Sequence, residues 1–107
     1  MILNIYKPKG FSSFGIVKVI KKITKEKKVG HGGTLDPFAE GVLIIGTGKD
    51  TKKLSEITNA DKSYDASLFL GSKTNTLDPE GKIIQTKDIP KLERKIIIDV
   101  LNTFDGI

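Results

Sequence analysis

The chain has 107 residues, 37% of them hydrophobic, with no cysteine, a net charge of +5 and a pI near 9.4. That leaves room for one small domain with a core, and it excludes disulfides and thiolate metal sites. No apolar run reaches the roughly 18 residues of a membrane span and no signal peptide opens the chain, so a cytoplasmic protein is the expectation.

Taken in order, Ile2-Leu3-Asn4-Ile5-Tyr6 reads as a strand, ended by Lys7-Pro8-Lys9-Gly10 because proline cannot donate to a ladder. Ser12 or Ser13 can cap the helix that follows. Phe14, Ile16, Val17, Ile20 and Ile23 fall at helical spacing and should form its inner face, with Lys18, Lys21, Lys22 and Lys25 largely outside. Those lysines are either a solvated face or a phosphate track.

Lys27-Lys28-Val29-Gly30-His31-Gly32-Gly33-Thr34-Leu35-Asp36-Pro37-Phe38-Ala39-Glu40-Gly41 comes next, followed by the apolar run Val42-Leu43-Ile44-Ile45. Glycine permits positive φ and close approach, and the residue before a proline is held in extended space. Asp36 thus sits on restricted backbone between a permissive loop and a buried strand over 41–46. Asp-Pro in such a segment is ordinarily a turn. The chain supplies its own comparison, because Thr-Leu-Asp-Pro recurs at 76–79, where Asp78-Pro79-Glu80-Gly81 reads as a plain turn.

Gly46-Thr47-Gly48-Lys49-Asp50-Thr51 invites a nucleotide-binding reading and fails it. A P-loop needs glycine where Leu43 stands and Ser or Thr where Asp50 stands. Asp50 or Thr51 is expected instead to cap a short helix over 52–58. Residues 62–71 read as a strand with Tyr64, Ala66, Leu68 and Leu70 on one face. A polar loop over 72–81, a strand at Ile83–Thr86 and an amphipathic helix over 91–102 complete an α+β chain with a mixed, mostly antiparallel sheet and helices packed on it.

Charge is unevenly spread. Residues 1–53 carry eleven lysines against Glu26, Asp36, Glu40 and Asp50, whereas residues 54–107 carry seven basic against nine acidic residues. The basic half surrounds the glycine-rich stretch, as on a surface facing phosphates, although a lysine-rich soluble protein would look the same.

Gly30-His31-Gly32-Gly33-Thr34-Leu35-Asp36-Pro37 with Ala39, Gly41 and Val42-Leu43 resembles the catalytic motif of the TruB-type tRNA pseudouridine synthases. Lys7-Pro8-Lys9-Gly10-Phe11-Ser12-Ser13 resembles that family's N-terminal Lys-Pro-x-Gly-x-x-Ser motif, and Asp61-Lys62-Ser63-Tyr64 its Asp-Lys-x-Tyr motif. Leu70-Gly71, Thr74, Thr76 and Asp78-Pro79-Glu80-Gly81 continue in step, so the likeness covers the whole chain from about residue 2 to residue 107.

The resemblance implies isomerisation of the T-loop uridine 55 of tRNA to pseudouridine. Asp36 matches the catalytic aspartate. His31 matches the histidine that fills the RNA loop once the target base has flipped out, and Tyr64 the tyrosine that stacks on the target uracil. Lys7, Pro8, Gly10 and Pro37 are read as structural support of the site; Lys27 and Lys28, with Gly32 and Gly33, are assigned as RNA contacts. The chemistry requires no cofactor, and a lone histidine is a poor metal ligand.

One departure stands out. The family's catalytic domain continues further and carries an arginine that pairs with the catalytic aspartate, and a PUA-type RNA-binding domain often follows. Arg94, the one arginine here, does not match that position. The expectation is therefore an incomplete pseudouridine synthase catalytic domain, weakly active or inactive alone, with apolar surface or a sheet edge left open for association. The alternatives are a non-catalytic RNA-binding or RNA-folding module, and a small structural domain whose Asp36 merely makes a turn.

Overall fold

A computed structural model describes residues 1–106, which fall into two units divided after Tyr64. The first holds β1 (Ile2–Lys7), α1 (Ser13–Thr24), β2 (Val29–His31), β3 (Gly41–Thr47), a 3-10 helix (Gly48–Lys53) and α2 (Leu54–Asn59). The second holds β4 (Ser72–Thr74), β5 (Ile83–Thr86) and α3 (Arg94–Asn102).

In the first unit the sheet order is β1-β3-β2 and both pairings are antiparallel, so the long apolar strand is central. Side chains alternate across a strand. On one face Leu43 and Ile45 of β3 meet Ile16 and Val17 of α1, with Leu3, Ile5, Ile20 and Val29 packed around them. On the opposite face Gly30 lies directly across from Gly46. A Cβ added at Gly30 would come within 3.1 Å of Leu54 Cδ1, and one at Gly46 within 3.0 Å of Leu54 Cγ. The paired glycines are the seat into which α2 lowers Leu54, which is buried.

Helix α1 starts where capping chemistry says it should: Ser12 is extended and its hydroxyl accepts from the Gly15 amide. Its inner face is narrower than the periodicity predicts. Ile16 and Val17 are buried, but Phe14 and Ile23 are 61% and 70% exposed. The core that α1 covers is small, and of its apolar side chains Ile16, Val17 and Ile20 are the ones packed there.

The expected cap at Asp50 or Thr51 is not made. Thr51 Oγ1 donates to the Gly48 carbonyl, and Asp50 bonds Lys53 and the amino terminus. The helical run begins earlier, as a 3-10 turn at Gly48 (φ +58), and becomes α-helical only at Leu54.

In the second unit β4 and β5 pair antiparallel, and α3 begins at Arg94, three residues later than the apolar spacing suggests. The strand expected over 62–71 does not form: 61–69 have no regular structure and every side chain from 61 to 70 is exposed. Alternation makes a segment able to pair, but a strand also needs a neighbour to take its N–H and C=O groups; among the described residues only Gly71, at its end, finds one, its carbonyl accepting from the Lys87 amide. Tyr64 is therefore not aligned with a buried apolar row. Helix α3 forms with its apolar side chains exposed, and Phe69 and Phe104 are 90% and 82% exposed.

Candidate active site

The backbone around Asp36 is fastened from three directions. Strand β2 delivers the loop, with His31 opposite Ile45 and the Gly32 amide donating to the Ile44 carbonyl at 2.8 Å. From α1, the buried Ser13 hydroxyl donates to the Leu35 carbonyl (3.1 Å) and accepts from the Leu35 amide (2.9 Å), so one side chain satisfies both backbone groups of the residue before Asp36. From the N-terminal motif, the Gly10 amide donates to the Pro37 carbonyl at 2.7 Å. The Ala39 amide then closes a turn onto the Asp36 carbonyl at 3.0 Å. Gly10 has φ +85 and Gly41 φ +136, both in space that favours glycine.

Lys7 explains why the N-terminal motif has a shape to offer. Its side chain is fully buried, and its Nζ donates to the Pro8 carbonyl (3.0 Å) and the Phe11 carbonyl (2.7 Å). A buried ammonium must be hydrogen-bonded, and here the turn over 8–11 wraps it. Lys7 also pairs with Gly41 across β1 and β3, so it lies at the sheet end from which the Asp36 turn departs.

The Asp36 side chain is exposed, and among the described residues its carboxylate makes no hydrogen bond or ion pair. No hydrogen bond joins it to His31 or Tyr64. His31 is half-buried and its Nδ1 is buried without a partner among the described residues. Tyr64 is 68% exposed in the irregular segment. The structure thus gathers Lys7, Gly10, Ser13, Leu35 and Pro37 about the aspartate and does not bring the phenol into that set.

The flanking glycines have separate tasks. Gly32 is buried, and a Cβ there would lie 2.8 Å from Ile57 Cγ2 of α2, so it serves close packing. Gly33 has φ +145 and stands nearest the Lys62 side chain. Lys27 and Lys28 are exposed at the other end of the sheet. Strand β3 has seven residues, which puts its far end about 20 Å from Gly41.

At that far end lie lysines the sequence reading did not assign. The Gly48 amide donates to the Lys28 carbonyl, which sets the 3-10 helix beside Lys28. In a 3-10 helix, residues three apart share an edge. Gly48, Thr51 and Leu54 take the inner edge, and Asp50 and Lys53 pair at 2.8 Å on a second. Lys53 and the amino terminus together hold the Asp50 carboxyl below its ordinary range. Lys49 and Lys52 occupy the third edge, exposed and without a salt bridge among the described residues. The uneven charge along the chain was the available signal; the three-residue edge was hidden because a helix was expected only from residue 52.

The chain belongs to the TruB family of pseudouridylate synthases, whose N-terminal domain matches residues 21–107. Similar proteins include the tRNA pseudouridine synthase B of Clostridium tetani, 46% identical over 105 residues, and that of Clostridium acetobutylicum, 48% identical over 105 residues. That of Mycoplasma mobile is 44% identical over 107 residues. These alignments cover 98%, 98% and 100% of the chain but 36%, 36% and 37% of the relatives, so the chain spans about a third of the length of the curated relatives it matches.

Proposed function

We propose that this chain carries the aspartate-bearing part of a cytoplasmic tRNA pseudouridine synthase, an isomerase acting on uridine 55 in the T-loop. The observation that carries the reading is the contrast at Asp36 between backbone and side chain. The residues on both sides are tied down through the Ser13 hydroxyl and the Gly10 amide, while the carboxylate is left uncommitted.

The reaction breaks the bond between C1′ and N1 of uridine, turns the base and joins C5 to C1′. C5 gives up its proton and N1 acquires one, so no oxidant or hydrolytic water is consumed. A carboxylate can serve by covalent attack or by taking a proton from the sugar. Either route needs the base out of its stack, which costs a few kcal/mol. Stacking of the extruded uracil on Tyr64, worth about 1–3 kcal/mol, offsets part of that. His31 takes the space the base leaves. Lys27 and Lys28, joined by Lys49 and Lys52, supply a phosphate track at the far end of the sheet, and Lys7, Pro8, Gly10 and Pro37 keep the turn in shape.

The test is release of tritium from C5-labelled uridine in a T-loop RNA. The assay is run on this chain alone and with the remainder of a relative supplied in trans, with Asp36→Asn as control. Turnover abolished by Asp36→Asn supports the reading. Salt-sensitive binding with no turnover in either arrangement replaces it with an RNA-binding module, and no binding at low salt leaves a structural domain.

A further inference from the structure

The five residues from Tyr6 to Gly10 grip the Asp36 turn at both of its ends. At the front, the grip is the backbone bond from the Gly10 amide to Pro37. At the back it is made by side chains: the Tyr6 hydroxyl donates to Glu40 Oε2 at 2.6 Å, and Lys9 Nζ stands 3.7 Å from Glu40 Oε1. Glu40 follows directly on the turn closed between Asp36 and Ala39, and it precedes Gly41. Nothing lies within 4 Å of where a Gly41 Cβ would be. A glycine in open space at positive φ is a natural pivot for the turn, and the Glu40 contact is placed to stop the swing. The contact also leaves its mark on both partners. The Tyr6 bond, with Lys9 assisting, holds the Glu40 carboxyl below its ordinary range, and the carboxylate holds the Tyr6 hydroxyl above its own. The chemistry outlined above uses neither residue.

We propose that Tyr6 and Glu40 are positioning residues: they form a side-chain clamp that fixes the turn carrying Asp36 and so aim its carboxylate at the substrate. The proposal rests on the assignment of Asp36 as the catalytic group. It concerns two exposed residues, so the expected effects are modest and selective.

The clamp is read in two ways. In this chain, amide hydrogen exchange at Ala39, whose N–H closes the turn onto Asp36, is followed by NMR. Tyr6→Phe and Glu40→Ala should each speed that exchange about two- to five-fold, the range an exposed pair commands. The double variant should be no faster than Glu40→Ala alone, because that variant already removes the Tyr6 contact. Glu40→Gln keeps an oxygen able to accept from the hydroxyl and should restore most of the protection. Where turnover is measured, the same variants should lower kcat by a similar factor with KM unchanged. Exchange unaltered by both single variants, effects that multiply in the double variant, or a change in KM alone would overturn the clamp. Undiminished turnover in Asp36→Asn, with the exchange pattern as expected, would leave the clamp standing as a structural device and overturn its link to catalysis.

Discussion

The chain holds two copies of Thr-Leu-Asp-Pro, and they fold to opposite ends. At 34–37 the backbone is held by other elements, through Ser13 on Leu35 and Gly10 on Pro37, and the Asp36 carboxylate is left over. At 76–79 the carboxylate itself does the holding. Asp78 Oδ1 accepts from the Thr76 hydroxyl at 2.6 Å and from the Glu80 amide at 2.9 Å, and Thr74 Oγ1 donates to the Asp78 carbonyl. Leu77 takes φ +63 in that turn, a left-handed conformation that this local network has to maintain. An aspartate becomes available for chemistry only when something else makes the turn. Four identical residues cannot say which case applies; the serine at position 13 and the glycine at position 10 decide it.

Exchanging the carboxylates breaks the comparison most forcefully. Asp36→Asn should lower tritium release by about a thousand-fold or more, while Asp78→Asn should leave it unchanged; equal losses would mean that both turns act structurally. Neutralising the lysines comes next. Lys27→Gln and Lys28→Gln should each weaken RNA binding across sequences and reduce the salt slope by about one unit, and Lys49→Gln with Lys52→Gln should match them. Filter binding between low and moderate salt would show it.

Removing the Ser13 hydroxyl strips the first copy of its external support. Ser13→Ala leaves the half-buried N–H and C=O of Leu35 without their partner and should cost about 1–3 kcal/mol in urea unfolding. Ser12→Ala, a loss of the helix cap alone, should cost about 1 kcal/mol. The smallest effect concerns acid. The Thr76 hydroxyl and the Glu80 amide hold the Asp78 carboxyl below its ordinary range. A carboxyl with a lowered folded-state pKa contributes stability above the unfolded value and loses it as pH falls through the folded one. The 76–81 turn should therefore loosen below the usual carboxylate range, seen as faster exchange of the Glu80 amide relative to neighbouring amides.

Much of this was legible in the sequence, and the rest was not for identifiable reasons. The central strand over 41–47, the serine cap of α1 and the plain turn at Asp78 follow from local chemistry. Strand 62–71 was read from alternation, which reports what a segment can pair with and not whether a partner is at hand. Phe14 and Ile23 match the helical period, but the core against α1 takes Ile16, Val17 and Ile20 and leaves both exposed. Gly30 and Gly32 looked like freedom for a ligand, and glycine there instead admits the side chains of α2, as it does at Gly46. The ties of Ser13 to Leu35 and Gly10 to Pro37 span 22 and 27 residues, beyond the reach of any local pattern.

The ammonium of Lys7 has a practical consequence for experiments in salt. Mobile ions screen charges they can approach, and they cannot approach one with no exposed surface. Raising the ionic strength should strip polyanions from the outer lysines while the bend over 8–11 keeps its form. A salt titration of this chain would therefore measure release of nucleic acid with the aspartate's scaffold still assembled.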